Sequence, residues 1–553
     1  MSTAPATRPQ PILHDWNRFY WTSGETGHLR FQYCRACDRL EHPPTPVCRI
    51  CGSDQLGIRE VSGRGVVQSH TTTQSRWQPD DLYPYVVAVV ALDEDPGVRL
   101  TTNVVGCPPD AVCVGLPVRV TFEQQGEVWF PLFEPTGEDP VTPAAEGDLL
   151  DAIRLVRPMA RTEKFEDQVA LTGVGMSTIG RKLMVAPLSL TVEAIRSAVT
   201  DAGLSMEEID GLSTYPASGA QGGYAEGGIG AVESVLGIRP TWHNGGHETP
   251  GATGSLIVAM LAVAAGLCRH VVCFRTVWQS TATELARRGE SPAPLGPRPV
   301  SGADEHLAPF GAQAVQTVAM AASQHMARYG TTRETLGWIA LNARANAALN
   351  PTAIFRDPLT MDDYLGGRPI SSPFGLYDCD VLCDGAVAVV VSALDAAADT
   401  RHPVAVEAVG TQITERMEWD QGVLSHEPHV IGPARHLWTR TDVRPDGVDV
   451  AELYDGFTFN CLSWIEALGF CEIGEARYFL DGGKAIARDG TLPLNTHGGQ
   501  LSHGRTHGMG LVHEAVVQLR GEAGARQVAN ASTAIATSGG LTPGGVILLR
   551  RDP

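Results

Sequence analysis

Residues 495–508 read NTHGGQLSHGRTHG. Four glycines and three histidines in so short a stretch suit neither a helix nor a strand. Gly498, Gly499 and Gly508 permit tight turns in which backbone N–H groups face a ligand. His503 and His507 flank Arg505 four residues apart. Directly after this Gly-rich turn, Met509-Gly-Leu-Val-His-Glu-Ala-Val starts an apolar helix, and Val546-Ile-Leu-Leu-Arg is a later strand. The same plan occurs upstream. Pro250-Gly-Ala-Thr-Gly-Ser feeds the helix Leu256-Ile-Val-Ala-Met-Leu, and Val271-Val-Cys-Phe-Arg follows as a strand. Each half also opens on a buried strand ending at glycine, Val169-Ala-Leu-Thr-Gly-Val-Gly and Val404-Ala-Val-Glu-Ala-Val-Gly. Alternating strands and helices with near-continuous apolar runs predict an α/β fold with buried sheets. Two such halves predict a duplicated α/β/α/β/α sandwich with one site between them.

The rest of the chain sets limits on function. At 553 residues it exceeds one core and divides into several domains. A net charge of −20 argues against general nucleic-acid binding while leaving room for a local basic channel around a phosphorylated ligand. The longest apolar stretch, Ser255 to Cys268, is about 14 residues, too short for a membrane span and suited to a buried helix. The N-terminal MSTAPATRPQPILHDWNRF lacks the basic-then-apolar order of a signal peptide. Eight of the 12 cysteines are scattered through apolar runs, as reduced core thiols are, so the expected compartment is the cytoplasm.

The other four cysteines form a motif. In YCRACDRLEHPPTPVCRICG, residues 33–52, Cys34 and Cys37 make one C-x2-C knuckle and Cys48 and Cys51 another, after ten intervening residues. Two knuckles complete a closed tetrahedral S4 shell, the arrangement of a structural zinc site without an open position. His42 lies between them and is not needed as a ligand. Beyond, β-branched runs at Gly63–Thr73, Tyr85–Leu92, Val98–Val105 and Val118–Phe122, separated by Gly, Pro and Asp turns, predict a small barrel. A zinc ribbon followed by such a barrel resembles the acyl-CoA-associated zinc-ribbon/OB-fold family, whose members occur beside or fused to thiolase-like proteins. An OB-fold also serves nucleic acids, but basic and aromatic residues do not interleave here.

The large domain resembles the thiolase superfamily, nearest the sterol-carrier-protein thiolases and the lipid-transfer-protein-type aldolases. The segments that carry the resemblance are Asp384-Gly-Ala-Val-Ala-Val-Val-Val, Glu452-Leu-Tyr-Asp-Gly-Phe-Thr-Phe-Asn, residues 495–508, and Thr537-Ser-Gly-Gly. The expected fold is therefore a duplicated thiolase-fold domain preceded by a zinc ribbon and an OB-fold barrel. Its divisions are an N-terminal helical segment 1–30, ribbon 31–56, barrel 57–135, linker 136–166 with a short helix near Asp148–Arg157, and thiolase-like halves 167–400 and 401–553.

A thiolase holds its acyl group on a cysteine at a helix N-terminus. The resemblance places Gly251 at that position, Arg505 at the histidine of the Gly-His-Pro motif, and Thr537 or Ser538 at the second cysteine. Glycine forms no thioester and arginine is no ordinary base. The resemblance instead implies a retro-aldol reaction. A β-hydroxyl loses its proton, the Cα–Cβ bond breaks, and an acyl-CoA enolate leaves with a ketone or aldehyde, stabilised by preorganised donors. Aldolases of this type cleave steroid side-chain thioesters and work with a zinc-ribbon/OB-fold partner, here fused in cis.

Tyr454 matches the family's tyrosine in Tyr-Asp-x-Phe, and a nearby Arg505 would lower its pKa. A second family tyrosine falls at Arg505, where this chain departs. Asp455 could orient Tyr454 or only satisfy backbone N–H groups. His507 and His503 are candidate bases or enolate donors. Asn460, Gly498, Gly499 and Gly508 are candidate binding residues, Gly251 would open room for a branched substrate, and His247-Glu248 could face the cavity. Coenzyme A enters as part of the substrate, zinc is the one metal, and a homodimer through the thiolase-like domain is expected by analogy. A non-catalytic acyl-CoA carrier, a thiolase with a displaced cysteine, and a nucleic-acid-binding scaffold are the other readings.

Overall fold

The computed structural model describes residues 8–74, 84–143, 150, 154–215, 228–246, 251–290, 300–397, 400–416, 418–427, 429–539 and 543–551. His247-Glu248 and half of the Asp148–Arg157 segment lie outside them.

The opening strands of the two halves, Val169–Met176 and Val404–Gly410, pair antiparallel at the centre of a nine-stranded sheet, with Leu171 opposite Val404 and Ala170 opposite Ala405. From this pair outward both sides follow one plan. Asp384–Ala393, His270–Trp278 and Gly211–Thr214 lie on one side, and Gly545–Arg551, Thr533–Ser538 and Val450–Glu452 on the other. In each series the first two junctions are antiparallel and the last is parallel. Topology thus corrects one detail of the repeat. The counterpart of His270–Trp278 is Thr533–Ser538, not Gly545–Arg551. Its sequence TAIATS is too short and too small in its side chains to stand out as a strand.

The middle layer holds the helices Gly251–Ala264 and Met509–Arg520, which reach strands of both halves. The first is apolar on every side and nearly all buried, as a core helix must be. The helix Pro187–Ala202 covers one outer face. Ile431–Leu437 and Thr458–Leu468 cover the other, where the largest apolar cluster sits. Both middle helices start at the same end of the sheet, so the Gly251 turn and the 495–508 loop arrive together.

The barrel consists of Arg64–Thr73, Tyr85–Leu92, Arg99–Val104, Pro117–Gln125 and Val128–Pro135, closed by pairing of the first with the fourth. Its sheet continues into the large domain. Thr73 pairs with Ser371 of the strand Pro369–Ser371, Gln74 N–H donates to the Ile370 carbonyl at 2.9 Å, and Thr71 Oγ1 donates to the Ser372 carbonyl at 2.6 Å. Thr101 Oγ1 also donates to Asp420 at 2.8 Å. Neither module is complete at this edge without the other.

Candidate active site and structural metal centre

The zinc-ribbon cysteines converge from two turns beside the small sheet of Arg30–Cys34, Leu40–Glu41 and Leu56–Glu60. Cys34 and Cys51 sulfurs are 3.6 Å apart, as are those of Cys37 and Cys48. Sulfurs of a disulfide would lie at ~2.05 Å. The edge of a tetrahedron with Zn–S of about 2.3 Å is ~3.8 Å, so the four thiols fit one tetrahedral ion. His42 turns away, its ring 4.7 Å from His306 and 5.1 Å from Tyr20. A second cluster, His325, His426 and Glu466, is joined by hydrogen bonds. Both Nε2 atoms share one Glu466 oxygen at 3.1 and 2.7 Å, while Thr331 and Ser425 meet the two Nδ1 atoms.

At the thiolase nucleophile position, Gly251 opens its helix with φ +55°. A Cβ placed there would lie 2.5 Å from Ser538 Oγ. Ser538 is held by Thr253, whose N–H donates to its Oγ at 3.2 Å and whose hydroxyl lies 2.6 Å away. The expectation that Gly251 opens room is therefore corrected, because the serine of the Thr-Ser-Gly segment closes it. Thr537 Oγ1 instead accepts the Tyr454 backbone N–H at 2.7 Å. Cys379 lines the cavity described below but is no ready thiolate. Burial pushes Cys379, Cys383 and Cys461 upward, with neighbouring carboxylates adding to the push.

Tyr454 lies just past the C-terminal end of the strand Val450–Glu452 and is buried. Burial pushes its phenol above the ordinary value; Arg505 pulls it down, and Asp380 and Glu427 add to the push. The expectation of a lowered pKa is thus reversed, since the cation is present but desolvation outweighs it. The phenol therefore keeps its proton at neutral pH.

His507, at φ +53°, places Nδ1 against the Arg275 guanidinium. Arginine only donates, so Nδ1 accepts and Nε2 carries the imidazole proton. Burial, then Arg275 and Arg505, hold this ring neutral. His503 instead faces Thr352 at 3.3 Å and meets His497 edge-on with centroids 5.0 Å apart, in a buried polar cluster with Glu452. Like Tyr454 and His507, it is not among the residues that line the cavity described below.

Asp455 ties down the 495–508 loop rather than Tyr454, since its carboxylate accepts the Gln500 N–H at 2.8 Å. Burial pushes it up to about 7. Gly499, at φ +57°, leaves space for that carboxylate, because a Cβ would come within 1.9 Å of Asp455 Oδ2. Gly498 packs on Ala347 and Gly508 on Ser538 in the same sense. Asn460 caps its own helix, its Oδ1 accepting the Phe457 N–H at 2.7 Å.

Arg505 pairs with a residue that the sequence did not single out, Asp380, at 3.0 Å. Both line a cavity of about 1180 Å³ that reaches from Gln74 of the barrel past Arg181, Arg344 and Arg368 to Leu501. Its volume exceeds the usual ~300–1,000 Å³ of small-ligand pockets. Apolar walls with four arginines suit a bulky acyl group on an anionic carrier.

Fold and site together define a thiolase-superfamily protein that has lost the acyl-accepting sulfur. Residues 434–547 match the thiolase C-terminal domain-like family, 58–123 the ChsH2 C-terminal OB-fold domain, and 21–57 the ChsH2 rubredoxin-like zinc ribbon domain. The chain is 33% identical over 388 residues to the steroid side-chain-cleaving aldolase of Thermomonospora curvata, covering 68% of this chain and 97% of that one. It is 34% identical over 399 residues to the 17-hydroxy-3-oxo-4-pregnene-20-carboxyl-CoA lyase of Mycobacterium tuberculosis, covering 69% and 99%. The solved Ltp2-ChsH2(DUF35) aldolase is similar with a TM-score of 0.60 at 30% identity, covering 70% of this chain and 98% of that chain. The chain belongs to the lipid-transfer-protein-type aldolases of the thiolase superfamily, and is a carbon–carbon lyase of that family.

Proposed function

We propose that the protein cleaves the Cα–Cβ bond of a tertiary β-hydroxyacyl-CoA with a steroid-sized acyl group, giving a ketone and a shorter acyl-CoA. The observation that carries this reading is Gly251 closed by Ser538 beside the polar cluster of Tyr454, Arg505 and His507. An acyl-enzyme has no place to form there, while donors for an enolate are present. His507 Nε2–H is offered to the enolate oxygen, Tyr454 delivers a proton to Cα, and Arg505 supplies positive charge. Asp455, His503, Asn460, Gly498, Gly499 and Gly508 position these loops. The relatives named for steroid side-chain cleavage support the acyl group chosen.

Incubation with such a thioester is expected to release the ketone and a shorter acyl-CoA in equal amounts, with no requirement for free CoA. Cleavage that depends on added CoA, or an acyl adduct trapped on any cysteine, would sink the reading. Binding without turnover would make the protein a carrier.

The four ribbon cysteines hold one structural zinc in this proposal. Metal analysis should find about one zinc per chain. Cys37→Ala should abolish that zinc and destabilise the ribbon, because binding free energy is folding free energy in such sites. A metal-free chain that melts like the wild type would contradict it. We also propose a cytoplasmic homodimer. The short strand Trp242–Asn244 ends the nine-stranded sheet among the described residues. Light scattering should give twice the 58.9 kDa chain mass, and among the described residues no helix is long and apolar enough to cross a membrane.

A further inference from the structure

A retro-aldol reaction needs a base for the β-hydroxyl proton, and the residues named so far do not provide one. Arg505 is permanently cationic. Tyr454 keeps its proton under burial. His507 has committed its accepting nitrogen to Arg275. His503 faces Thr352, and Asp455 faces the Gln500 backbone behind Gly499.

Asp380 has the missing properties. Its segment threads between the two loops of the site. Asp380 N–H donates to the Gly456 carbonyl at 3.1 Å, Val381 N–H to the Gln500 carbonyl at 3.0 Å, and Arg505 N–H to the Val381 carbonyl at 3.0 Å. Cys379 bridges Phe457 on the same edge. The aspartate is thus fixed by backbone to the tyrosine loop on one side and the arginine loop on the other. Its carboxylate lines the cavity with 8% of the side chain exposed, and Arg505 holds it at 3.0 Å.

We propose that Asp380 is the catalytic base of this aldolase, taking the β-hydroxyl proton of the bound thioester while Arg505 fixes its orientation. This rests on the reaction proposed above. As Asp380 accepts the proton, the O–H pair becomes the new carbonyl π bond. The Cα–Cβ pair moves onto the thioester as the enolate. Tyr454 then protonates Cα, and the Asp380 acid reprotonates the phenolate, so each proton is returned and no oxidant or reductant enters. The family tyrosine missing at position 505 is replaced by an ion pair whose acidic member does the work.

The base must be ionised, so the rate should rise with pH through the Asp380 titration. Burial pushes that carboxyl up to about 6, against the downward pull of Arg505. Other titratable groups facing it are Tyr454 from the tyrosine loop and Cys379 and Cys383 from its own segment, all above their ordinary values. Arg181, Arg344 and Arg368 stand on the other cavity walls.

The test uses the full-length protein with a tertiary β-hydroxyacyl-CoA. Wild type should show an acidic limb in kcat/KM near pH 6. Asp380→Asn should lower kcat by about 10²- to 10³-fold with KM within a few-fold, and lose the limb. Inactive wild type refutes the aldolase reading itself. Active wild type with a near-normal Asp380→Asn, or a limb that survives in that variant and vanishes in Glu427→Gln, refutes the role of Asp380 alone. If Asp380→Asn does not fold, Asp380→Glu keeps the charge and decides. A rate at least tenfold lower with a displaced limb supports the proposal, and an unchanged rate and limb overturns it.

Discussion

Tyr454→Phe is expected to reduce turnover by about 10²- to 10⁴-fold while the melting temperature stays within a few degrees of wild type. The change removes one hydroxyl and nothing else. The loop is held independently of that hydroxyl, because the backbone N–H of Tyr454 donates to Thr537 and Asn495 brackets Leu453 through both amide atoms. Cleavage assays and a thermal melt on one preparation check both halves of the expectation. Activity within threefold of wild type would remove the phenol from proton transfer to Cα.

Gly499→Ala is expected to have the largest effect on stability of any single substitution in the loop. Alanine at φ +57° carries left-handed strain of about 1–2 kcal/mol. Its methyl would also stand 1.9 Å from Asp455 Oδ2. That carboxylate cannot retreat without releasing the Gln500 N–H, so a further ~1–3 kcal/mol of overpacking is added. Gly521 has φ +76°, and a methyl added there would meet no heavy atom within 4 Å, so Gly521→Ala isolates the strain component. Urea denaturation should show Gly499→Ala less stable than Gly521→Ala by at least about 1 kcal/mol. Equal losses would mean the Asp455 contact does not constrain the loop.

Much of the molecule is legible in its residues because it depends on local patterns. The cysteine knuckles read as a metal site, and the Val169 and Val404 strands read as a repeat. The four-glycine loop reads as a run of tight turns, and Gly251 betrays the absent nucleophile. What stays hidden depends on pairs of residues distant in sequence. Ser538 fills the space beside Gly251 across 287 positions. Asp380 sits in an ordinary Tyr-Asp-Cys-Asp run with no motif value, and it matters because the fold sets it against Arg505. The sign of the Tyr454 shift escapes sequence reasoning for a related reason. A cation nearby can be guessed from sequence, whereas the extent of desolvation is fixed by packing. For His503 the spacing misleads, because four residues around Arg505 suggest a shared face, yet the segment Gly499–His503 is a π turn that sends its ring inward.

The strand Pro369–Ser371 that continues the barrel's sheet has a consequence for how this enzyme behaves in dilute solution. Gln74 and Ile370 stand on one cavity wall although they come from different modules. When such a wall is divided between separate polypeptides, its integrity falls with their concentration. Here the tether holds the local concentration of the second module constant. Specific activity should therefore be independent of enzyme dilution over the range in which a two-chain assembly would come apart.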